Sequence, residues 1–169
     1  MPNRASARTR DKVIDTVHEL LAEGSFHEST VEEVAERAGV SRATVYTHFG
    51  SRTGLVDAMC ERFDATPALR EIRTITDADR FIELAVEFWA GEERILEELY
   101  GAAAVDPAAS ELVKRQRLDR AKEIRRITTN KEQQAQLLLL TSFETYRELR
   151  RGAGLSQAEV TETLKRLLR

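Results

Sequence analysis

The chain has 169 residues, of which 41% are hydrophobic and 33% charged, so its composition predicts a globular protein and argues against a disordered one. No apolar run approaches the roughly 20 residues of a membrane span, and the first residues contain no apolar segment typical of a signal peptide. The single cysteine, Cys60, excludes an intramolecular disulfide. Together these features predict a cytoplasmic protein.

The net charge of −3 is unevenly distributed along the chain. The first twelve residues contain one acidic side chain, Asp11, and four basic ones: Arg4, Arg8, Arg10 and Lys12. The segment 39–56 contains Arg42 and Arg52 and no acidic residue. An acidic protein can therefore present a local positive face near its N-terminus, which a nucleic acid would attract.

Helical periodicity dominates the N-terminal third of the chain. The predicted helices cover about residues 9–23, 30–38, 41–49 and 52–63. Thr30 and Glu33 have the spacing of a capping box at the start of the second helix, and Gly39 is placed to end it. Ser41 is the expected cap of the short third helix.

The rest of the chain also reads as helical, which makes the predicted fold class all-α. Pro67 interrupts the pattern and marks a candidate boundary. The helices predicted after it cover about residues 77–90, 92–103, 107–127, 131–151 and 156–168. Asp106-Pro107 is a start signal, with Asp as cap and Pro in the first helical position, and Ser156–Glu159 is a second capping box.

A helix, a glycine turn and a short helix within about twenty residues have the pattern of a helix-turn-helix unit. The short second helix of such a unit enters the major groove of DNA, which is about 12 Å wide. Small residues at its start let the backbone approach DNA, and later polar side chains can donate to phosphates. The candidate DNA contacts on this helix are Ser41, Arg42, Ala43, Thr44, Tyr46, Thr47 and His48.

Alternatives stay open for individual side chains of this helix. Arg42 can read a guanine edge or contact a phosphate, because arginine does both. Tyr46 fits a phosphate contact better than a core position, since Val45 and Phe49 already fill the buried face. His48 has no partner at ligand spacing, so no metal site is expected. No nucleophile–base pair or phosphate loop is recognisable, so neither an enzyme nor a cofactor is predicted.

Residues from about 10 to 56 resemble the TetR-type transcriptional regulators. The resemblance lies in Gly24, Phe26, Thr30-Val31, Val34-Ala35, Ala38-Gly39-Val40-Ser41, Thr44-Val45-Tyr46, His48-Phe49, Ser51-Arg52 and Leu55. It implies a helix-turn-helix DNA-binding domain over residues 1–54 and an effector-binding and dimerisation domain over residues 55–169. It also implies a phosphate contact at Arg52, where a lysine is commoner. Arg4 and Arg8 of the basic segment, and Thr30, complete the candidate DNA contacts.

The resemblance further implies that the C-terminal domain binds a small effector, here expected to be apolar or aromatic. The candidate effector contacts are Phe63, Phe81, Ala85, Phe88, Trp89, Leu96, Leu99 and Tyr100. An ordinary helical core is the alternative interpretation of these residues. The basic residues of segment 114–126 are interpreted as a solvated face, with attraction of an anionic effector as the alternative.

Apolar stripes on the last two predicted helices need a partner, which two copies of the chain can supply across a two-fold axis. The residues of these stripes are Leu137, Leu138, Thr141, Thr145, Leu149, Val160, Leu164, Leu167 and Leu168. The prediction is a homodimeric repressor that an effector releases from a palindromic operator of double-stranded DNA. An activator or effector-independent regulator of the same fold is the alternative, and a pure interaction protein is a third possibility.

Overall fold

The computed structural model describes residues 4–169, and this part of the chain is helical throughout, without a strand. Its α-helices are α1 (Arg4–Glu23), α2 (Val31–Arg37), α3 (Arg42–Phe49), α4 (Arg52–Asp64), α5 (Pro67–Ile72), α6 (Ala78–Gly91), α7 (Glu93–Ala102), α8 (Pro107–Ile127), α9 (Lys131–Leu140), α10 (Phe143–Arg147) and α11 (Gln157–Leu168). A π-helical turn, Glu148–Gly152, follows α10. The predicted all-α fold class is confirmed. No helix among the described residues is long and apolar enough to cross a membrane.

The described residues form two compact units. The first contains the described residues up to Phe63 together with Glu97–Val113, and the second contains Asp64–Leu96 and Lys114–Arg169. Within the first unit, His27 Nδ1 lies 2.8 Å from Glu98 Oε1, which ties the later segment to the loop after α1. Residues 97–113 therefore belong to the unit of the N-terminal helices, which their position in the sequence does not suggest. The predicted division of function at residues 54 and 55 stays a prediction.

The first three helices are set by local signals and by a shared apolar core. The Thr30 hydroxyl accepts a hydrogen bond from the Glu33 amide at 3.2 Å, and the Thr30 amide donates to the Glu33 carboxylate at 2.6 Å. Gly39 has a φ of +65°, a conformation that side-chain-bearing residues rarely adopt, and this lets the chain turn sharply into α3. The core beneath is apolar, with Val13, Val17, Leu20, Phe26, Val34 and Val45 at most 5% exposed.

Two predicted helix bounds are wrong, and one helix was not predicted. Helix α1 begins at Arg4, five residues before the predicted start. The unpredicted helix is α5, which begins at Pro67 because Thr66 caps it and a proline fits the first turn; the division between the two units lies close by, after Phe63. The predicted helix 131–151 is broken after Leu140, where the chain turns and Ser142 caps a new helix.

Helix α6 is the centre of the second unit. Seven of its residues are buried and cover one broad side of the helix, while Glu83, Glu87 and Gly91 on the opposite side are half-buried or exposed. It packs against α5, α9, α10 and α11. The Trp89 indole N–H donates to the Thr141 carbonyl at 3.1 Å, and its ring lies 5.6 Å from that of Phe143. These contacts fix the break between α9 and α10 against α6.

Candidate nucleic-acid interface

Helix α3 presents one polar face to solvent and one apolar face to the core. Val45 and Phe49 are buried, as predicted. The exposed positions are Ser41, Arg42, Ala43, Tyr46 and Thr47, while Thr44 and His48 are half-buried. The structure therefore brings five of the seven predicted DNA contacts of this helix together on one accessible surface. The surface has the width and chemistry of a recognition helix, with small residues at its start and donors further along.

Several hydroxyls on or beside this surface hold the backbone in place. The Ser41 Oγ accepts from the Thr44 amide at 3.1 Å and lies 2.8 Å from the Thr44 hydroxyl. The Thr47 hydroxyl donates to the Ala43 carbonyl at 2.8 Å. Hydrogen bonds from the backbone amide and the hydroxyl of Thr30 to the Glu33 carboxylate hold the pKa of Glu33 below its usual range. Ser41 and Thr30 thus act as helix caps and Thr44 is bonded to the Ser41 cap, so any DNA contact they make is additional to that role.

Arg42, the most prominent cation of α3, is already ordered by two neighbours. Its guanidinium lies over the Tyr46 ring, 5.3 Å from the centroid, and forms an ion pair with Glu32 of α2. The Tyr46 hydroxyl and the Glu32 carboxylate raise the pKa of Arg42. The Arg42 side chain nevertheless stays 60% exposed, so it can exchange the carboxylate for DNA. Glu32 is a site residue that the sequence did not identify, because its position in the first turn of α2 suggests only helix stabilisation.

The basic N-terminal segment divides into accessible and engaged cations. Arg4 and Arg8 are exposed on α1. Arg10 instead pairs with Glu61 at 2.5 Å and lies over the Phe49 ring, 5.7 Å from its centroid. The Lys12 ammonium lies beside the turn between α2 and α3, where its Nζ is 3.7 Å from the position that a Cβ atom on Gly39 would occupy. Arg4, Arg8 and Lys12 therefore leave positive charge accessible at the surface, whereas Arg10 is engaged in contacts within the chain.

Arg52 does not have the open position expected of a phosphate contact. Its guanidinium donates to the carbonyls of Ser29 and Phe26 at 2.5 and 2.7 Å and lies 4.2 Å from the Phe26 ring centroid. It also pairs with Asp106 Oδ2 at 2.9 Å. Burial by itself would raise the pKa of Asp106. The hydrogen bonds from Arg52 and from the Ala108 and Ala109 amides together have the larger effect, so the pKa of Asp106 lies below its usual range. In this structure Arg52 joins the start of α4 to the residue that precedes α8.

The predicted effector contacts are almost all buried, and they are divided between the two units. Phe63, Leu99 and Tyr100 belong to the first unit, and Phe81, Ala85, Phe88, Trp89 and Leu96 belong to the second. In the second unit the rings of Phe88 and Trp89 lie 5.0 Å apart. The polar N–H of Trp89 is already bonded to Thr141, so this indole offers a ligand mainly its apolar surface.

The predicted dimerisation residues do not form one exposed stripe. Leu137, Thr141, Val160 and Leu164 are at most 1% exposed, so they pack into the chain's own core and cannot contact a partner directly. Leu138, Thr145, Leu149 and Leu168 are half-buried, and Leu167 is 59% exposed. Leu139, which the sequence did not single out from the run of leucines at 137–140, is 66% exposed. Among the described residues of α9 and α11, the accessible apolar surface therefore centres on Leu139 and Leu167.

Comparison with known proteins places the similarity mainly in the N-terminal part. Residues 13–59 match the family described as bacterial regulatory proteins, tetR family. The HTH-type transcriptional regulator AlkX of Mycobacterium tuberculosis is 41% identical over 56 residues, which are 33% of this chain and 26% of AlkX. The HTH-type transcriptional activator FasR of Mycolicibacterium smegmatis is 31% identical over 81 residues, which are 46% of this chain and 37% of FasR. The matched part thus spans well under half of each relative.

Solved structures resemble the whole chain at lower identity. NalD of Pseudomonas aeruginosa, described as the secondary repressor of the MexAB-OprM multidrug efflux pump, has a TM-score of 0.74 at 19% identity and covers 98% of this chain and 96% of its own. A putative regulator of Saccharomonospora viridis, solved with choline, has a TM-score of 0.62 at 19% identity and covers 96% of each chain. Such identities establish the shared fold alone. The family match on residues 13–59 shows that the N-terminal helices of this chain are similar to those of tetR-family regulators.

Proposed function

We propose that this chain is a DNA-binding transcriptional repressor that acts as a homodimer and is released from its operator by a small effector. The observation that carries the proposal is the exposed face of α3, which Val45 and Phe49 anchor in the core. The exposed cations Arg4, Arg8 and Lys12 lie on α1 of the same unit. A capped, short helix with an arginine and a tyrosine on its open side suits insertion into a major groove.

A symmetric dimer would present two copies of α3 and would therefore recognise a palindrome. Half-sites about one turn of DNA apart, roughly 34–36 Å or a multiple of it, match such an arrangement. The exposed leucines of α9 and α11, Leu139 and Leu167, support the dimer because a large apolar side chain in water favours a partner.

Two solved structures of the same fold support the repressor role and the effector. NalD is described as a repressor, and the Saccharomonospora viridis protein was solved with choline, so a small-ligand site is compatible with this fold. FasR, by contrast, is named an activator. An activator of the same fold is therefore the second candidate. Transcription from the target promoter, measured with and without the protein, distinguishes activation from repression.

The direct test is a gel-shift titration of the purified chain on DNA from its own promoter region. Arg42→Ala should weaken binding about 5- to 150-fold if it contacts a base, with less effect on random DNA. Arg125→Ala, which removes an exposed arginine of α8, is the matched control and should bind as the wild type does. Equal losses on promoter and random DNA would make Arg42 a phosphate contact, and full affinity of Arg42→Ala would contradict the proposed interface.

A further inference from the structure

The bend between α9 and α10 lies in a segment without a helix-breaking residue. Residues 131–151 contain neither proline nor glycine, and their sequence predicts one continuous helix. A sharp bend in such a segment needs another cause, such as a side chain that enters the backbone hydrogen-bond ladder. The structure shows this exchange at two carbonyl groups, those of Leu139 and Thr141.

Two hydroxyl groups hold the carbonyl of Leu139 at the end of α9. In a continuous helix this carbonyl would accept from the amide of Phe143, four residues further on. Here it accepts from the Thr145 hydroxyl at 2.7 Å and from the Ser142 hydroxyl at 2.9 Å. The Thr145 amide donates to Ser142 Oγ at 3.1 Å, so the same two side chains also begin α10. The two hydroxyls therefore bind backbone groups that the bend removes from the helical ladder.

The carbonyl of Thr141, inside the bend, is bound by a residue of another helix. In a continuous helix it would accept from the Thr145 amide. Here it accepts from the indole N–H of Trp89 on α6 at 3.1 Å, and both residues are at most 5% exposed. A straight helix would give this carbonyl to the Thr145 amide and take it from the buried indole N–H. Because losing a buried hydrogen bond is unfavourable, Trp89 stabilises the bent form.

The bend changes which side of the chain faces the core. Residues four apart share one side of a continuous helix, so Leu139 and Phe143 would then have similar surroundings. In the structure Leu139 is 66% exposed, whereas Phe143 is 0% exposed and its ring centroid lies 5.6 Å from that of Trp89. The bend therefore turns Leu139 towards solvent while Phe143 packs inside.

We propose that Thr145 and Trp89 are positioning residues for dimerisation, because they lock the bend that presents Leu139 to a second copy of the chain. This inference rests on the proposed function, since it specifies how the α9 part of the proposed dimer surface is held. Thr145 acts through the Leu139 carbonyl, and Trp89 acts through the Thr141 carbonyl. When either bond is lost, the segment straightens more often and Leu139 leaves the dimer surface.

The first test measures the dimer dissociation constant of the full chain by sedimentation equilibrium. Thr145→Val keeps the shape of the side chain and removes its hydroxyl, so it should raise this constant about two- to tenfold, as expected for one hydrogen bond. Thr145→Ser restores the hydroxyl and should return the constant close to that of the wild type. A Thr145→Val protein that dimerises as the wild type does, or a Thr145→Ser protein as weak as Thr145→Val, would overturn the proposal.

The matched control is Thr16→Val. It removes a threonine hydroxyl that donates to the Lys12 carbonyl at 3.0 Å within the unbroken helix α1. It should leave the dimer dissociation constant unchanged. An increase equal to that of Thr145→Val would assign the weaker dimer to a general loss of helix stability and would overturn the role of the bend.

The second test observes the bend by NMR spectroscopy. Trp89 is the only tryptophan of the chain, so its indole N–H gives a single resonance in the nitrogen-labelled protein. Thr145→Val should move this resonance upfield and speed the exchange of the indole proton with solvent, because the bond to Thr141 forms less often. Thr16→Val should leave both unchanged. An indole resonance that Thr145→Val does not alter would overturn the lock, whatever the oligomeric state.

A double-variant cycle tests whether the two residues act on the same bend. Trp89→Phe keeps an aromatic ring beside Phe143 and removes the N–H that donates to Thr141. Thr145→Val combined with Trp89→Phe should weaken the dimer by clearly less than the product of the two separate fold-changes. The full product would overturn the shared role. A wild-type protein that sediments as a monomer would instead contradict the dimer of the proposed function, while the indole resonance tests the bend in either oligomeric state.

Discussion

At the scale of single residues, the ion pair between Arg42 and Glu32 is a contact that the proposed DNA binding would break. The Tyr46 ring restricts the Arg42 side chain, which lowers the conformational entropy that this side chain loses on binding DNA. The Glu32 carboxylate has the opposite effect, because it competes with a DNA phosphate for the Arg42 guanidinium. Both side chains are about half or more exposed, so solvent weakens their attraction and keeps the competition modest.

Glu32→Gln should therefore tighten promoter binding, by about two- to fivefold, because it releases Arg42 and removes a negative charge beside the interface. Gel-shift titration at fixed salt measures the change. Glu36→Gln alters the net charge equally on the same helix, at an exposed position, and should have a smaller effect. If Glu32→Gln and Glu36→Gln tightened promoter binding equally, the tighter binding would come from net charge alone, and the ion pair of Arg42 with Glu32 would have no effect on DNA affinity.

At the scale of secondary structure elements, Gly54 determines how closely α4 approaches the end of α3. A Cβ atom at this position would overlap the carbonyl oxygen of Phe49. The Gly54 amide donates to Ser51 Oγ at 3.1 Å, so the first turn of α4 is also held by a side-chain cap. The close approach keeps α3 seated, and with it the orientation of the recognition surface.

Gly54→Ala should destabilise the chain by about 1–3 kcal/mol, as overpacking does, and should weaken DNA binding as well. Gly101→Ala is the matched control, because nothing lies within 4 Å of a Cβ there and the position is helical. It should be neutral or stabilising by about 0.5–1 kcal/mol. Chemical denaturation of both variants gives the comparison, and a Gly54→Ala protein as stable as the wild type would show that α3 and α4 separate easily.

The pair of Arg52 and Asp106 links the start of α4 to the start of α8, and it makes stability depend on pH. Because the pKa of Asp106 is lowered in the folded state, its contribution is fully present above the ordinary value of 3.8 and is lost as the pH falls through the lowered one. Asp106→Asn keeps a capping side chain and removes the charge.

Asp106→Asn should therefore be less stable than the wild type at pH 7, by on the order of 1 kcal/mol, and the difference should shrink as the pH falls below 3.8. Thermal unfolding across this pH range measures it. Asp119→Asn, at an exposed position of α8, should show no such pH-dependent difference. If Asp106→Asn stayed less stable than the wild type by the same amount in acid, the loss of stability would come from the altered helix cap and not from the lost ion pair.

At the scale of the whole molecule, the proposed dimer is expected to depend on the exposed leucines of α9 and α11. The double variant Leu139→Lys with Leu167→Lys should sediment as a monomer and lose most of its operator affinity, because one α3 helix reads only a half-site. Leu118→Lys changes another exposed leucine, on α8, and should stay dimeric. A dimer that survives the double change would place the interface elsewhere.

Local signals in the sequence determined most of the helices and the recognition surface. The capping box of Thr30 and Glu33, the turn at Gly39 and the alternation of Val45 and Phe49 with polar residues act within a few positions of one another. Such interactions can be predicted without knowing the fold. The helix-turn-helix and its exposed face were therefore available from the sequence.

Only the tertiary structure decided which partners the long charged and polar side chains found. Arg52 pairs with Asp106, Arg42 pairs with Glu32, and Arg120 is half-buried, although the sequence predicts that all three are exposed cations. The position of an arginine in a helical pattern does not reveal its partner, because the apolar part of the side chain packs in the same way whether the guanidinium contacts solvent, a carboxylate or a ligand. The break after Leu140 depends partly on Trp89 of a distant helix, which donates to the Thr141 carbonyl. The Ser142 cap is a local signal for the same break, and the predicted helix 131–151 did not take it into account.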